Sequence, residues 1–326
     1  MTSSFRFLVL VLGICMTLVP ATVGAQCAVY LSQWGSFGAG AGQFDRPIGV
    51  ATDVSGNVYV VDTFNHRIQK FAGTGAYLTQ WGSLGSGNGQ FNQPLNVATD
   101  AAGNVYVSDR LNNRIQKFTG AGAYLTQWGS FGTGNGQFDY PSGVALDAGG
   151  NVYVTDTDNY RVQKFTGTGT YITQWGSPGS GNGQFSDPQF IETDIAGNVY
   201  VSDFTNYRIQ KFTSTGVYIT QWGSFGSGNG QFDTPADMVT DGAGNVYVAD
   251  HANHRIQKFT GTGTYVCQWG SFGSGNNQFN LPTGLATNAA GEFYVTEFAG
   301  HRVQKFGPGP TPAERSTWGR IKSIYR

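Results

Sequence analysis

The sequence predicts an all-β fold, a closed six-bladed β-propeller with four antiparallel strands in each blade. Three observations predict it. One unit repeats six times, with a tryptophan at every 47th residue: Trp34, Trp81, Trp128, Trp175, Trp222 and Trp269. Each unit holds four short runs rich in Val, Ile, Tyr and Phe, separated by Gly, Asn and Asp. The two ends of the repeat region are incomplete in complementary ways, which predicts a closed ring.

The unit that begins at Pro94 shows the four strands in order. NVATD is the first and innermost strand, and the turn DAAGN leads to the second strand, NVYVSD. The bend DRLNNR leads to the third strand, RIQKF, and the turn TGAG leads to the fourth, AYLTQW. Glycine and asparagine at these positions suit tight hairpin turns.

The chain ends complete the sixth blade. Residues 28–34 supply a lone fourth strand, and PTGLATN, EFYVTE and HRVQKF near the C-terminus supply the other three. A β-solenoid is the alternative, but its end repeats would leave apolar faces bare. Joining the two ends leaves no blade face uncovered, so the sequence favours a ring that the N-terminal strand closes.

The segments outside the repeats predict export. Arg6 precedes an apolar run of about a dozen residues, and Val23, Gly24 and Ala25 form a small-residue cleavage site. We therefore expect a signal peptide over 1–25, a propeller over 26–306, and a Pro-rich linker with a basic tail over 307–326. The predicted location is secreted, or periplasmic within the cell envelope.

Charge limits the class of partner. Between residues 28 and 306 there are 14 Lys and Arg against 19 Asp and Glu, whereas the last twenty residues carry a net charge of +3. Binding to a nucleic-acid backbone requires clustered cations, so an acidic main body argues against it. No further apolar run follows the signal segment, so we expect no membrane insertion, and we expect a monomer.

The glycine-rich loops and the cysteines each suggest a role that the repeat argues against. GSFGSGNGQF resembles a phosphate-binding loop, but the chain holds six versions of this loop and each leads into a strand, which indicates architecture. Cys27 and Cys267 fall on the fourth strands of neighbouring blades with a five-residue offset, roughly 16 Å along a strand. A disulfide needs Cα atoms within about 7 Å, so we expect both cysteines to be unpaired.

The repeat resembles a known family. The pattern P-x-G-V-A-x-D-x-x-G-N-V-Y-V-x-D-x-x-N-H-R-I-Q-K-F is similar to the NHL repeat over about residues 28–306. This resemblance implies a six-bladed propeller. It leaves function open, because the family includes RNA-binding and ubiquitin-ligase-associated domains, extracellular sensor modules and metal-dependent lyases.

Three features of the repeats have structural explanations: the acid–arginine pair, the lysine and the histidines. An acid and an arginine flank each bend, as in Asp62 and Arg67, and should form a charge-assisted pair. A recurrent lysine, such as Lys70, should be a solvated residue at the blade edge. His66, His254 and His301 together suggest a metal site. However, bend positions on different blades of a ring should lie too far apart to bind one metal ion.

Positions that vary between repeats predict a recognition surface. In a propeller, the blade-to-blade loops and the bends between second and third strands share one face, named the loop face here. Variable aromatic, charged and polar residues fall there: Arg46, Phe64, Arg110, Tyr140, Phe204, His251 and Phe298. Blade 4 departs further, because its innermost strand reads QFIETD and carries Phe190 and Glu192. With Asp237 of the next blade, they form the candidate site for a small molecule or a cation.

Two classes of function remain open. The first is an exported, non-catalytic binding or scaffold propeller that engages a protein, a peptide or a glycan through the loop face. The second is a metal-dependent propeller enzyme of the lyase or lactonase type. Equal repeat intervals leave no room for the unequal loops that build an enzyme pocket, and the sequence holds no Ser–His or Cys–His constellation. The sequence therefore favours binding, with no catalytic residue, no metal and no cofactor.

Overall fold

Six four-stranded antiparallel sheets, one for each blade, form the protein in a computed structural model that describes residues 27–309. Blade 1 consists of β2 (Pro47–Thr52), β3 (Val58–Asp62), β4 (Arg67–Phe71) and β5 (Tyr77–Trp81). Blade 2 consists of β6 (Pro94–Thr99), β7 (Val105–Asp109), β8 (Arg114–Phe118) and β9 (Tyr124–Trp128). Blade 3 consists of β10 (Pro141–Leu146), β11 (Val152–Asp156), β12 (Arg161–Phe165) and β13 (Tyr171–Trp175).

The remaining blades follow the same order. Blade 4 consists of β14 (Pro188–Thr193), β15 (Val199–Asp203), β16 (Arg208–Phe212) and β17 (Tyr218–Trp222). Blade 5 consists of β18 (Pro235–Thr240), β19 (Val246–Asp250), β20 (Arg255–Phe259) and β21 (Tyr265–Trp269). Blade 6 consists of β22 (Pro282–Thr287), β23 (Phe293–Glu297), β24 (Arg302–Pro308) and β1 (Ala28–Trp34). Short 3-10 turns follow the second strand in four blades: Thr63–Asn65, Arg110–Asn112, Thr157–Asn159 and Phe204–Asn206.

The N-terminal strand closes the ring, as predicted. β1 pairs antiparallel with β24, with Ala28 opposite Pro308 and Trp34 opposite Val303. The all-β fold, the six blades and the four strands in each blade are confirmed. The predicted signal peptide over 1–25 and most of the basic tail lie outside the described residues.

Aromatic side chains pack the blades against each other. Trp34, at the end of β1, has its ring centroid 5.7 Å from that of Phe71 in blade 1 and 6.1 Å from that of Tyr294 in its own blade. Phe44, at the end of the glycine-rich loop, lies 5.7 Å from Phe71. The same contacts recur around the ring, so the repeated Trp and Phe residues join each blade to the next.

The expectation of two unpaired cysteines is wrong. Cys27 and Cys267 form a disulfide, with Cα atoms 6.1 Å apart. The 16 Å estimate assumed that neighbouring outer strands run side by side at one height, whereas sheet twist tilts each blade. The start of one outer strand therefore lies against the end of the previous one. Gly75, for example, lies so close to Trp34 that a Cβ would be 2.8 Å from the indole ring.

The repeat explains why the cysteines meet. Ala28 holds the position in blade 6 that Gly75 holds in blade 1, 47 residues later. Ala28 and Trp269 accordingly belong to one apolar cluster, and Cys27 packs against it. Cys27 is thereby brought to the end of β21, where Cys267 lies two residues before the tryptophan.

The recurrent lysines are not the solvated edge residues we expected. Lys70 donates from Nζ to the Gly120 carbonyl of the next blade at 2.9 Å, and Nζ lies 3.8 Å from Asp53. Its ammonium group is also 4.9 Å from the centroid of the Tyr59 ring. The corresponding lysine lies over a tyrosine in every blade. Five of these lysines tie neighbouring blades together by donating to a carbonyl of the next blade: Lys70, Lys117, Lys164, Lys211 and Lys305. The long aliphatic stem of each is largely covered.

Candidate functional site

A buried acid–arginine pair holds each bend to the adjacent glycine-rich loop. In blade 1, Arg67 donates from Nε to Asp62 at 2.7 Å, and neither side chain is more than 7% exposed. Its other nitrogens donate to the loop carbonyls of Ala39, Gly40 and Gln43. Pairs with the same geometry occur in the other five blades, which confirms the structural role predicted for them.

The glycine-rich loops use their backbone groups internally. The amide of Gly40 donates to the Gln43 side chain at 3.0 Å, and that of Gly42 donates to the Gln69 side chain at 2.8 Å. The amide of Gly38 donates to the Phe44 carbonyl. A phosphate cradle needs free amides that converge on an anion, whereas these amides already have partners and the loop carbonyls face Arg67. The architectural interpretation of the loops is confirmed.

Each histidine at the end of a bend accepts a hydrogen bond from a backbone amide of the next blade. His66 accepts at Nδ1 from the amide of Gln93, His254 from that of Leu281, and His301 from that of Arg46, at 3.0–3.2 Å. Burial lowers the pKa of His66 and of His254, which favours the neutral ring that such acceptance requires. Within residues 27–309, no three His, Cys, Asp or Glu side chains converge as metal ligands would.

The loop face brings four of the predicted site residues into one group. The Arg46 guanidinium lies 4.5 Å from the ring centroid of Phe64 and 5.6 Å from that of Phe298. The two phenylalanine rings are 6.4 Å apart, and His251 lies 6.3 Å from Phe298. These residues come from blades 1, 5 and 6 and form what we call the Arg46 group. A cation held against aromatic rings is a rigid anchor of the kind that dominates binding interfaces.

A second pair of predicted residues lies across blades 2 and 3. The Arg110 guanidinium is 5.2 Å from the ring centroid of Tyr140. Burial raises the pKa of Asp187, while Gln189 and the Arg110 charge lower it. Phe204 lies half-buried in the blade 4 bend, and among the described residues it makes no ring contact with either group.

Exposed apolar side chains stand at the tips of the glycine-rich loops, which the sequence reasoning did not single out. Five of the six tip residues are between 62% and 69% exposed, namely Phe37, Leu84, Phe131, Phe225 and Phe272. Three of these rings lie near a bend residue of the preceding blade: Phe37 on His301, Phe225 on Tyr207 and Phe272 on His254, at 4.8–5.0 Å. These contacts place the tip residues on the loop face, and Phe37 lies next to the Arg46 group because His301 accepts from the Arg46 amide.

The central channel holds the predicted carboxylate pair. Glu192 and Asp237 line a cavity of ≈ 200 Å³ formed by the innermost strands, and Asn96 lines it from the opposite side of the ring. Asp237 is 5% exposed, and its carboxylate accepts from the amides of Met238 and Leu285. Four threonine hydroxyls donate to carbonyls of the preceding inner strand at the far end of these strands, those of Thr52, Thr99, Thr193 and Thr240.

Both channel carboxyls resist ionisation. Burial raises the pKa of Glu192 to about 8, and the charge of Asp237 adds to this effect. Burial also raises the pKa of Asp237 to about 7, although the amides of Leu285 and Met238 and the Asn96 side chain lower it. A buried carboxyl near another carboxyl holds its proton to higher pH. Near neutral pH the pair is therefore partly protonated.

Phe190 lies beside this site and not in it. Its side chain is 4% exposed and belongs to an apolar cluster that also contains Ile48, Leu95 and Ala236. It does not line the cavity that Glu192 and Asp237 share. Because its ring packs among inner-strand residues of other blades, the structure assigns Phe190 to the core.

Comparison with known families decides the nature of the repeat. The NHL repeat family matches residues 44–71, 91–118, 138–165, 232–259 and 279–306. Five of the six blades are NHL repeats. The five matched segments exclude blade 4, whose inner strand reads PQFIET where blade 1 reads PIGVAT. Over residues 27–309, no helix is long and apolar enough to cross a membrane.

One known protein is similar to this chain over a short segment. The B-box type zinc finger protein ncl-1 of Caenorhabditis elegans is 42% identical over 62 residues, which are 18% of this chain and 7% of that protein. The chain thus matches only a small part of this relative's length.

Two solved structures share the fold. A catalytically inactive virginiamycin B lyase from Staphylococcus aureus with quinupristin has a TM-score of 0.58 and 16% identity, covering 87% of both chains. An auxiliary nutrient binding protein from Bacteroides thetaiotaomicron has a TM-score of 0.61 and 15% identity, covering 82% of this chain and 70% of that one. At these identities the likeness shows the fold alone.

Proposed function

We propose that this NHL propeller is an exported, non-catalytic binding protein that holds a polypeptide partner on its loop face. The observation that carries the proposal is the Arg46 group, in which one guanidinium lies against the rings of Phe64 and Phe298. Three blades contribute to this group, so the closed ring fixes its geometry before any partner arrives. Preorganised aromatic and arginine anchors reduce the entropy cost of binding.

The surroundings of the Arg46 group favour a large partner. Exposed loop-tip side chains lie on the same face, and one of them, Phe37, contacts His301, whose ring accepts from the Arg46 amide. Apolar contacts distributed around a charged and aromatic centre suit a macromolecular interface better than a small-molecule pocket. Among the protein, peptide and glycan partners that the sequence leaves open, this arrangement favours a polypeptide. The chain is also similar in fold to a nutrient-binding propeller.

Export is part of the proposal and has two supports. The first 25 residues read as a signal peptide. The Cys27–Cys267 disulfide is a bond that persists in oxidising compartments and is rare in a reducing cytosol. The proposed location is therefore outside the cell or within a periplasmic envelope compartment.

Capture with paired variants tests the proposal. The mature protein is immobilised and exposed to envelope and culture fractions, and bound polypeptides are identified by mass spectrometry. We expect Arg46→Ala with Phe298→Ala to lower capture at least tenfold, because both anchors are removed. The control is Val54→Ala with Ile195→Ala, which removes two side chains that are 75% and 80% exposed at the opposite face. Equal capture by all three proteins, or a specific partner that proves to be a glycan, would overturn the proposal.

A further inference from the structure

Arg46 differs from the repeat arginines because its guanidinium has no acceptor. The repeat arginines bind a carboxylate through Nε and loop carbonyls through their other nitrogens: Arg67, Arg114, Arg161, Arg208, Arg255 and Arg302. Among residues 27–309, the guanidinium groups of Arg46 and Arg110 donate no hydrogen bond and form no ion pair. Each lies against an aromatic ring instead.

Of these two arginines, only Arg46 presents its donors to a ligand. Arg110 is half-buried, and its Nε is covered from solvent. Its charge is also shared: burial raises the pKa of Asp158 and of Asp187, and the nearby Arg110 charge opposes this effect. The Arg46 side chain is exposed, so a group on a partner can reach its N–H donors.

The fold restricts the position of Arg46 before any ligand binds. Its backbone is in the left-handed region with a φ of 52°, and its amide donates to Nδ1 of His301 in blade 6 at 3.1 Å. Its guanidinium lies 4.5 Å from the ring centroid of Phe64 and 5.6 Å from that of Phe298. A phenylalanine ring has no oxygen or nitrogen acceptor, so these contacts orient the guanidinium and leave its N–H donors unused.

We propose that Arg46 binds the side-chain carboxylate of an aspartate or glutamate in the polypeptide partner. A carboxylate accepts two parallel N–H bonds from a planar guanidinium, and this charge-assisted pairing fixes both distance and orientation. The inference rests on the proposed function, because the carboxylate has to come from a partner on the loop face. It adds the chemical identity of the residue that the Arg46 group recognises.

The surroundings of Arg46 limit the rest of the ligand. Phe37 is 67% exposed, and its ring lies 5.0 Å from that of His301, which holds the Arg46 amide. An acidic residue with an apolar neighbour can therefore engage the guanidinium and the exposed ring together. Residues 28–306 carry 14 Lys and Arg against 19 Asp and Glu. Because this net negative charge repels a long acidic run, the face suits a single acidic residue.

The test is a titration of the isotope-labelled mature protein with short peptides. It is followed at the Nε–H signal of Arg46 and at the backbone amide signals of Phe64 and Phe298. The first peptide has blocked ends and a glutamate between two leucines; the second has glutamine in place of the glutamate; the third keeps the glutamine and ends in a free carboxylate. We expect saturable shifts with the first peptide alone, with a Kd on the order of 1 mM for so small a ligand.

Three outcomes of this titration would overturn the proposal. In the first, no peptide gives a saturable shift at these signals. In the second, the glutamine peptide binds as well as the glutamate peptide, which would show that the leucines alone are recognised. In the third, the peptide with the free terminal carboxylate binds as well, which would assign the guanidinium to chain ends and not to acidic side chains.

Two variants with the same change in net charge give the matched controls. Arg46→Gln gives blade 1 the residue that blade 2 has at this position, Gln93, whose φ of 50° and bond to His66 match those of Arg46. We expect it to fold and to weaken binding of the glutamate peptide at least tenfold. Thr234→Asp lowers the net charge equally on the same face, in blade 5, and should weaken binding at most about twofold. Equal weakening by both variants would show that overall charge controls binding and would refute the site.

The titration needs no natural partner, so its failure and the failure of the capture experiment are separate results. A captured polypeptide that depends on the Arg46 group, together with a titration that shows no preference for glutamate, would overturn this inference alone. Binding of the glutamate peptide without any captured polypeptide would support the carboxylate site and count against the proposed function.

Discussion

Cys27 is bonded to Cys267 across the boundary between blades 6 and 5, at a sequence separation of 240 residues. The bond fastens the N-terminal strand, which already pairs with β24 inside blade 6. The ring is therefore closed by hydrogen bonds within one blade and by a covalent bond to the next.

Removing this disulfide should destabilise the closed ring. Cys27→Ser with Cys267→Ser, made in the mature chain, should lower the free energy of unfolding by about 3–5 kcal/mol, because a long loop is no longer constrained in the unfolded chain. Urea unfolding of oxidised protein, reduced protein and the double variant measures this. Reductant should shift the midpoint of the native protein and leave that of the variant unchanged. Equal midpoints for all samples would show that the strand pairing alone holds the ring.

The sequence predicts the topology of this protein well because topology depends on periodicity and on the two incomplete ends. The position of one blade relative to the next is harder, because it depends on sheet twist. That is why the offset between Cys27 and Cys267 led to a wrong prediction. Twist also carries the Lys70 side chain onto the neighbouring blade, where we had expected solvent.

Positions that depart from the repeat identify residues of the candidate site, but they do not show how deeply each side chain is buried. QFIETD in blade 4 directs attention to Glu192, which lines the channel cavity. The same departure introduces Phe190, and only packing shows that its ring is buried. Asn96 was missed, although three of the other five blades have glycine at that position. A position-by-position comparison of the six units finds it.

Loss of one repeat arginine should be costly. Arg114→Ala leaves Asp109 buried without its cation and removes donors from the carbonyls of Ser86, Gly87 and Gln90. We expect a loss of about 3–5 kcal/mol in the free energy of unfolding, measured by urea denaturation. Arg114→Lys should recover little of it, because an ammonium group cannot reproduce the fork of guanidinium donors. Lys117→Ala is the comparison: it removes a longer ion pair, at 3.6 Å, and one hydrogen bond to the Gly167 carbonyl of the next blade, so it should cost less, about 1–2 kcal/mol.

The channel carboxyls should make stability fall as pH rises. Because the pKa of Glu192 is raised to about 8 in the folded protein, its neutral form contributes stability that is fully present below the unfolded pKa. This contribution is lost as pH rises through about 8. Glu192→Gln should therefore stabilise the protein by about 2–4 kcal/mol at pH 8.5 and by less than about 1 kcal/mol at pH 5.

Unfolding by urea at both pH values checks this dependence. Glu192→Ala restores the residue that blade 1 has at Ala51, and it separates charge from volume. Both variants should reduce the change in the free energy of unfolding between the two pH values. A packing change caused by the smaller alanine side chain should not alter this result. A stabilisation by Glu192→Gln that is equal at pH 5 and pH 8.5 would contradict the raised pKa.

Crowding of the inner strands around the channel gives the last prediction. A Cβ built on Gly143 would lie 2.8 Å from the Cα of Phe190 and from the carbonyl oxygen of Gln189, both backbone atoms of the next blade. Gly143→Ala must therefore push β10 away from β14, and overpacking of this kind costs about 1–3 kcal/mol. Gly242→Ala is the control, because a Cβ there meets nothing within 4 Å and blade 1 carries Val54 at the same position. Thermal unfolding should show a lower midpoint for Gly143→Ala alone; equal midpoints would mean that the ring widens at no measurable cost.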